Sequence, residues 1–161
     1  MKILLAACNA KDIHSNLAVY DLRAYASAYQ EHILLGEYTI NQTKDEILKD
    51  IYLSGADVVC FSCYIWNISF VRDLLEDLHK ILPDVKFWTG GPEVSFDAEA
   101  FLRRTPQVTG VMVGEGEKTF LELVRYDVDG VGTLSEILGI AYREGAEHHH
   151  NGWSELTELD R

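Results

Sequence analysis

Short apolar runs alternate with amphipathic stretches along most of the chain. Residues 2–8 are a continuous β-prone run, and residues 17–29 follow with apolar side chains at helical spacing. Residues 33–40 predict a second strand. Thr43, with Glu46 three places on, has the capping-box spacing that opens a helix over residues 45–53. Residues 57–63 are apolar on both faces, as a central parallel strand is. Asn67 is then the expected cap of a helix carrying Val71, Leu74, Leu75, Leu78 and Ile81 on one side and ending before Pro83. Residues 85–89 and 110–113 predict two further strands, with a short helix near 98–104 between them and a last helix over 118–124. Five βα units in succession predict an α/β fold. Right-handed crossovers then make it a doubly wound, five-stranded parallel sheet of flavodoxin-like (Rossmann-like) type, strand order 2-1-3-4-5. After Tyr126 the periodicity stops. The expected division is a folded unit over residues 1–126 and a linker over 127–161, with a small hairpin turning at Glu144-Gly145.

Composition narrows the partners. Of 161 residues 47% are hydrophobic and 25% charged, an ordinary globular balance. Fourteen basic against 26 acidic residues give a net charge of −12. That charge argues against duplex nucleic acid and anionic membrane, both of which are met by clustered Lys and Arg. No apolar run approaches the ~20 residues a membrane span needs. The start has one basic residue and a short apolar stretch, interrupted too early by Asn9, Lys11 and Asp12 for a secretory signal. An odd count of three cysteines is unlike a secreted disulfide framework, so a reducing cytoplasm is the expectation.

In a doubly wound sheet, ligands sit outside the carboxyl ends of the strands. Four such ends carry distinctive loops: Cys8 to Asn16, Ser62 to Asn67, Gly90 to Ser95, and Gly114-Glu115-Gly116-Glu117. Any one of them alone reads as a turn. Together they put Gly, Asn, Ser and two aromatics, Tyr64 and Trp66, on one edge, where planar side chains offer apolar surface to a large flat ligand. A phosphate loop and a dinucleotide fingerprint are both missing, as are the paired acids of a phospho-accepting receiver. Cys60 and Cys63 form a Cys-x-x-Cys inside a predicted strand, which sends the two side chains to opposite faces; Cys8 and Cys60 read as core. His148-His149-His150 reads as a polar hairpin edge. Asp12 stands two before His14, a spacing at which a carboxylate can orient an imidazole toward a metal. No side chain stands out as a general base or nucleophile, and no catalytic residue is expected.

The segments Asn9-Ala10-Lys11-Asp12-Ile13-His14-Ser15-Asn16-Leu17, Phe61-Ser62-Cys63-Tyr64-Ile65-Trp66-Asn67, Gly90-Gly91-Pro92-Glu93 and Val113-Gly114-Glu115-Gly116-Glu117 resemble the N-terminal cobalamin (vitamin B12)-binding domain of cobalamin-dependent radical SAM proteins. The resemblance covers about residues 1–125 and extends to the hairpin-like tail. It implies cobalamin, with its cobalt, as cofactor. It places Asn9, His14, Ser15, Asn16, Ser62, Tyr64, Trp66, Asn67, Gly90, Gly91, Pro92, Glu93, Gly114, Glu115 and Gly116 around the corrin and its nucleotide tail. Leu17 occupies the place of the glycine in the family's Asp-x-His-x-x-Gly pattern, so His14 is expected beside the cofactor and not as a cobalt ligand. The cluster motif Cys-x-x-x-Cys-x-x-Cys is absent. The resemblance then implies that S-adenosylmethionine and the [4Fe-4S] cluster belong to a radical SAM domain elsewhere in a longer, methyltransferase-like enzyme, with a stand-alone corrinoid carrier as the other reading. Two alternatives stay open: a receiver-like sensor or interaction domain without cofactor, and a flavin or nucleotide binder using the Gly114-Glu115-Gly116 loop.

Overall fold

A computed structural model describes residues 1–10, 17–114 and 116–153, the side chain of Leu17 excepted. Four of the expected site residues, His14, Ser15, Asn16 and Glu115, lie outside the described residues.

The predicted alternation is present. In chain order the main elements are β1 (Ile3–Asn9), α1 (Leu17–Tyr25), β2 (Ile33–Thr39), α2 (Lys44–Ser54), β3 (Val58–Ser62), α3 (Ile68–Ile81), β4 (Lys86–Gly90), α4 (Pro92–Ser95), α5 (Ala98–Arg104), β5 (Gly110–Met112), α6 (Glu117–Asp129), β6 (Ile140–Glu144) and β7 (Glu147–His150). A 3-10 segment, Ser27–His32, takes the end of the stretch that periodicity assigns to the first helix, and α6 runs five residues past the expected Val124. The first-turn amide of Glu46 donates to Thr43 Oγ1 (3.2 Å), so α2 opens where the capping spacing predicts.

The sheet order is β2-β1-β3-β4-β5-β6-β7. The first five strands are parallel and follow the expected 2-1-3-4-5, while β6 pairs antiparallel with β5 and β7 antiparallel with β6. Among the described residues the strand count is therefore seven and not five. The reason lies in segment 137–142, where Ile137, Ile140, Ala141 and Tyr142 bury themselves on the sheet. Asn151 then ties the hairpin down, its Nδ2 donating to the carbonyls of Leu134 (2.8 Å) and Ile137 (2.9 Å). From the far side Arg143 Nε donates to Val108 O (3.2 Å), and its Nη2 reaches the carbonyl end of α5 at Leu102. Too short an apolar pattern marks this strand pair in sequence; pairing with β5 supplies what it lacks.

Side chains alternate across the strands into two cores. Leu4, Ala6, Cys8, Val59, Phe61 and Cys63 pack with α2, α3 and α5. Ile3, Leu5, Ala7, Val58, Cys60 and Met112 pack with α1 and α6. Every residue of β1 is buried because both faces are covered. Cys60 and Cys63 fall on opposite faces, as expected of residues within and just beyond one strand. Burial pushes the Cys8 thiol up to about 12 and raises those of Cys60 and Cys63 as well. Protonated thiols of this kind are neither nucleophiles nor metal ligands.

Candidate functional site

Register puts the expected loops side by side. Ser62 lies opposite both Ala7 and Gly90, Gly90 opposite Met112, and Met112 opposite Ile140. The carboxyl ends of the strands thus finish on one line. Beneath that line, between the sheet and helices α1 and α6, is a cavity of about 370 Å³. Its floor is Leu5, Cys60, Phe61 and Met112; its mouth is Ser62, Tyr64, Gly90, Gly91, Pro92, Gly114 and Gly116; α1 and α6 add Ala18, Asp21, Leu22 and Glu117.

Two glycines shape the mouth. Gly91 has φ +107°, and a Cβ there would run into the Cys63 carbonyl. Gly114 has φ +75°, and a Cβ would lie 2.7 Å from the indole of Trp153, which rests on the bare backbone. Ser95 links the two turns: its hydroxyl donates to Gly91 O (2.7 Å) and accepts from Gly114 N (3.1 Å). One buried hydroxyl thereby holds the β4 and β5 loops at a set separation.

Asn67 stands at the start of α3 but makes no capping bond with its side chain. Instead Oδ1 accepts from Tyr64 N (2.7 Å), and Nδ2 donates to Cys8 O (3.1 Å) and Ser62 O (3.0 Å). At 1% exposure it is a strut joining the ends of β1 and β3, and it sets the direction of the loop that follows. That loop carries Tyr64 and Trp66, stacked with centroids 5.3 Å apart and planes within 3°. Ile65 (80% exposed) and Phe96 (93%) stand uncovered nearby in sequence, on the loops that follow β3 and α4.

Seven of the expected residues therefore converge on one cavity: Ser62, Tyr64, Gly90, Gly91, Pro92, Gly114 and Gly116. Trp66 joins through its stack on Tyr64. Glu93 is exposed on α4 and is not part of the cavity wall. Asn9, on the same sheet face as Leu5, is 2% exposed, and its Oδ1 has no hydrogen-bond partner among the described residues. Glu117 Oε2 is likewise enclosed and unbonded. A buried acceptor left unmade is unfavourable by about 1–3 kcal/mol, so each of these oxygens is open to a donor from outside the described residues. Leu5, Asp21, Met112, Ser95 and Trp153 are missed by motif reading: the first three have no loop signature, and the last two act across distances that spacing does not show. Among the described residues no three His, Cys, Asp or Glu side chains come together as a metal site. No helix among them is long and apolar enough to cross a membrane.

The B12 binding domain family matches residues 3–124. Among curated proteins the chain is 30% identical over 91 residues to the cobalamin-dependent radical SAM methyltransferase TokK of Streptomyces tokunonensis, which spans 56% of this chain and 13% of that protein. Among solved structures it is similar to the cobalamin-dependent S-adenosylmethionine radical enzyme OxsB with aqua-cobalamin bound. There the TM-score is 0.74 at 20% identity, covering 96% of this chain and 22% of that one. A CheY-like protein, tadZ of Pseudomonas aeruginosa, matches with TM-score 0.56 at 14% identity over 83% of this chain and 99% of its own. Architecture is thus shared with proteins of different kinds, and function must be argued from the site. The chain spans only a small fraction of its curated relative and of OxsB. The family match covers the whole parallel part of the sheet and every loop of the cavity mouth, and the chain belongs to the B12-binding domain family.

Proposed function

We propose that this chain holds cobalamin over the carboxyl edge of its sheet, as the cofactor module of a radical SAM enzyme whose overall reaction is methyl transfer. The observation that carries the reading is the cavity itself, which opens under the Gly91 and Gly114 turns and is lined by Glu117, whose Oε2 has no partner among the described residues. Family membership and the cobalamin-dependent radical SAM relatives support it.

The residues present fit such a group. A corrinoid is a broad, largely apolar ring edged with amides and joined to a nucleotide tail. Leu5, Cys60 and Met112 offer an apolar floor for an elongated tail group. Gly90, Gly91, Gly114 and Gly116 let backbone approach it closely. Tyr64, stacked on Trp66, gives flat surface at the rim for the ring. Asn9 Oδ1 and Glu117 Oε2 offer acceptors. When bound, the cofactor supplies the organometallic chemistry of methyl transfer; the chain's part is to bind, orient and shield it. Ser95 and Asn67 keep the rim in place. S-adenosylmethionine, the [4Fe-4S] cluster and the substrate belong to a radical SAM domain of the same full-length protein.

The test is direct. Purified protein is mixed with hydroxocobalamin, desalted, and its visible spectrum recorded, with FMN in a parallel sample. Retention of corrin absorbance near one equivalent, with no flavin carried through, is the expected result. Loss of all corrin colour on desalting overturns the reading, and retained flavin replaces it with the nucleotide-binding alternative.

A further inference from the structure

Two charged side chains stand among the described residues of the cavity wall, Asp21 and Glu117, and both are acids; no Lys or Arg lines it. Asp21 is exposed on α1. Glu117 differs. It opens α6 directly behind Gly116, lines the cavity, and keeps one carboxylate oxygen enclosed with no donor among the described residues. A carboxylate offers acceptors and, when ionised, no donor. An enclosed acceptor that the fold itself does not satisfy is complementary to a donor brought in by a ligand. Its position makes the demand selective: an anionic group against this oxygen meets like charge with no Lys or Arg among the described lining residues to offset it, whereas an N–H or O–H group completes the site.

We propose that Glu117 is a specificity-determining residue of this cavity, accepting a hydrogen bond from an N–H or O–H donor of the bound corrinoid. The inference rests on the cobalamin reading above and adds to it the residue that accepts from an N–H or O–H donor of the cofactor. Corrinoids present such donors in two places, the amides around the ring and the hydroxyl of the nucleotide tail. Either meets the same chemistry.

The experiment is a spectral titration of wild type, Glu117→Ala and Glu117→Gln with two probes, hydroxocobalamin and dicyanocobinamide, the second lacking the nucleotide tail. Thermal midpoints of the unliganded proteins are recorded alongside. Glu117→Ala is expected to weaken hydroxocobalamin binding by about 10- to 100-fold, the range for a hydrogen bond to a charged group. Glu117→Gln is expected to lose less, because its amide oxygen still accepts a weaker, uncharged bond, while the unliganded midpoints stay close together. Should the alanine variant not fold, the glutamine variant carries the test by itself. A loss of equal size with both probes places the donor on the ring amides, and a loss confined to hydroxocobalamin places it on the tail. Wild-type affinity in both variants overturns the role of Glu117 while leaving the cofactor reading intact. Failure of the wild type to retain either probe removes both.

Discussion

The two faces of the sheet are built from the same strands and do opposite things. On one face, α2, α3 and α5 close over Leu4, Ala6, Val59 and Phe61, and Leu74, Leu75 and Leu78 are fully enclosed. On the other, α1 and α6 cover Ile3, Val58 and Trp88 at the amino end, but toward the carboxyl end they stand off around a cavity of about 370 Å³. Both faces are apolar. The difference is in how far the covering helices reach, and it separates a face that stabilises from a face that receives.

The comparison can be strained from either side. Leu74→Ala on the closed face leaves a void in a packed core, and is expected to lower unfolding free energy by about 3 kcal/mol. Denaturant titration reads this, and corrinoid affinity of the folded fraction should not move; a large affinity change would mean the two faces are coupled. Ala18→Leu on α1 adds volume to the open face, in a residue type that suits a helix. It should cost little stability, because the added methyl groups enter existing space, yet weaken hydroxocobalamin retention by about tenfold, the equivalent of about 1.4 kcal/mol. Unchanged retention would show that the cavity is not the ligand's seat.

The smallest effect concerns Asp127 of α6, at the amino end of the open face near Cys60 and Trp88. Burial raises its carboxyl above the usual 3.8, with Lys86 opposing. A raised folded-state value means the folded chain holds the proton more tightly than the unfolded one. The contribution is therefore favourable below about 3.8 and lost as pH rises through the folded value. Asp127→Asn is expected to have the higher thermal midpoint at pH 7, with the gap closing as the pH falls toward 4. A gap independent of pH would assign the effect to packing alone.

Local patterning made much of this legible. Continuous apolar runs marked β1 and β3 because strands covered on both faces need them, and Thr43 with Glu46 marked the start of α2. The glycine turns were visible because positive φ leaves few other residues to choose from. What stayed hidden has a common cause. Met112 and Leu5 carry no sign distinguishing a cavity floor from a core, since both surroundings reward the same side chain. Ser95 joins Gly91 to Gly114, and Asn67 joins Cys8 to Ser62; each link depends on register between strands far apart in the chain. The C-terminal hairpin is legible at Glu144-Gly145, but its joining the sheet is not, because its short apolar stretch gains value only against β5.

From its amino acids alone this protein is determined to be a doubly wound α/β domain, with glycine- and aromatic-bearing loops at successive strand ends, since propensity, capping and hydrophobic period are local properties. Tertiary structure decided that those loops meet over one cavity, that α1 and α6 leave it open, and that Glu117 on its wall keeps an acceptor without a partner among the described residues. Those outcomes come from packing between distant segments, where free volume and missing hydrogen bonds belong to no single stretch of chain.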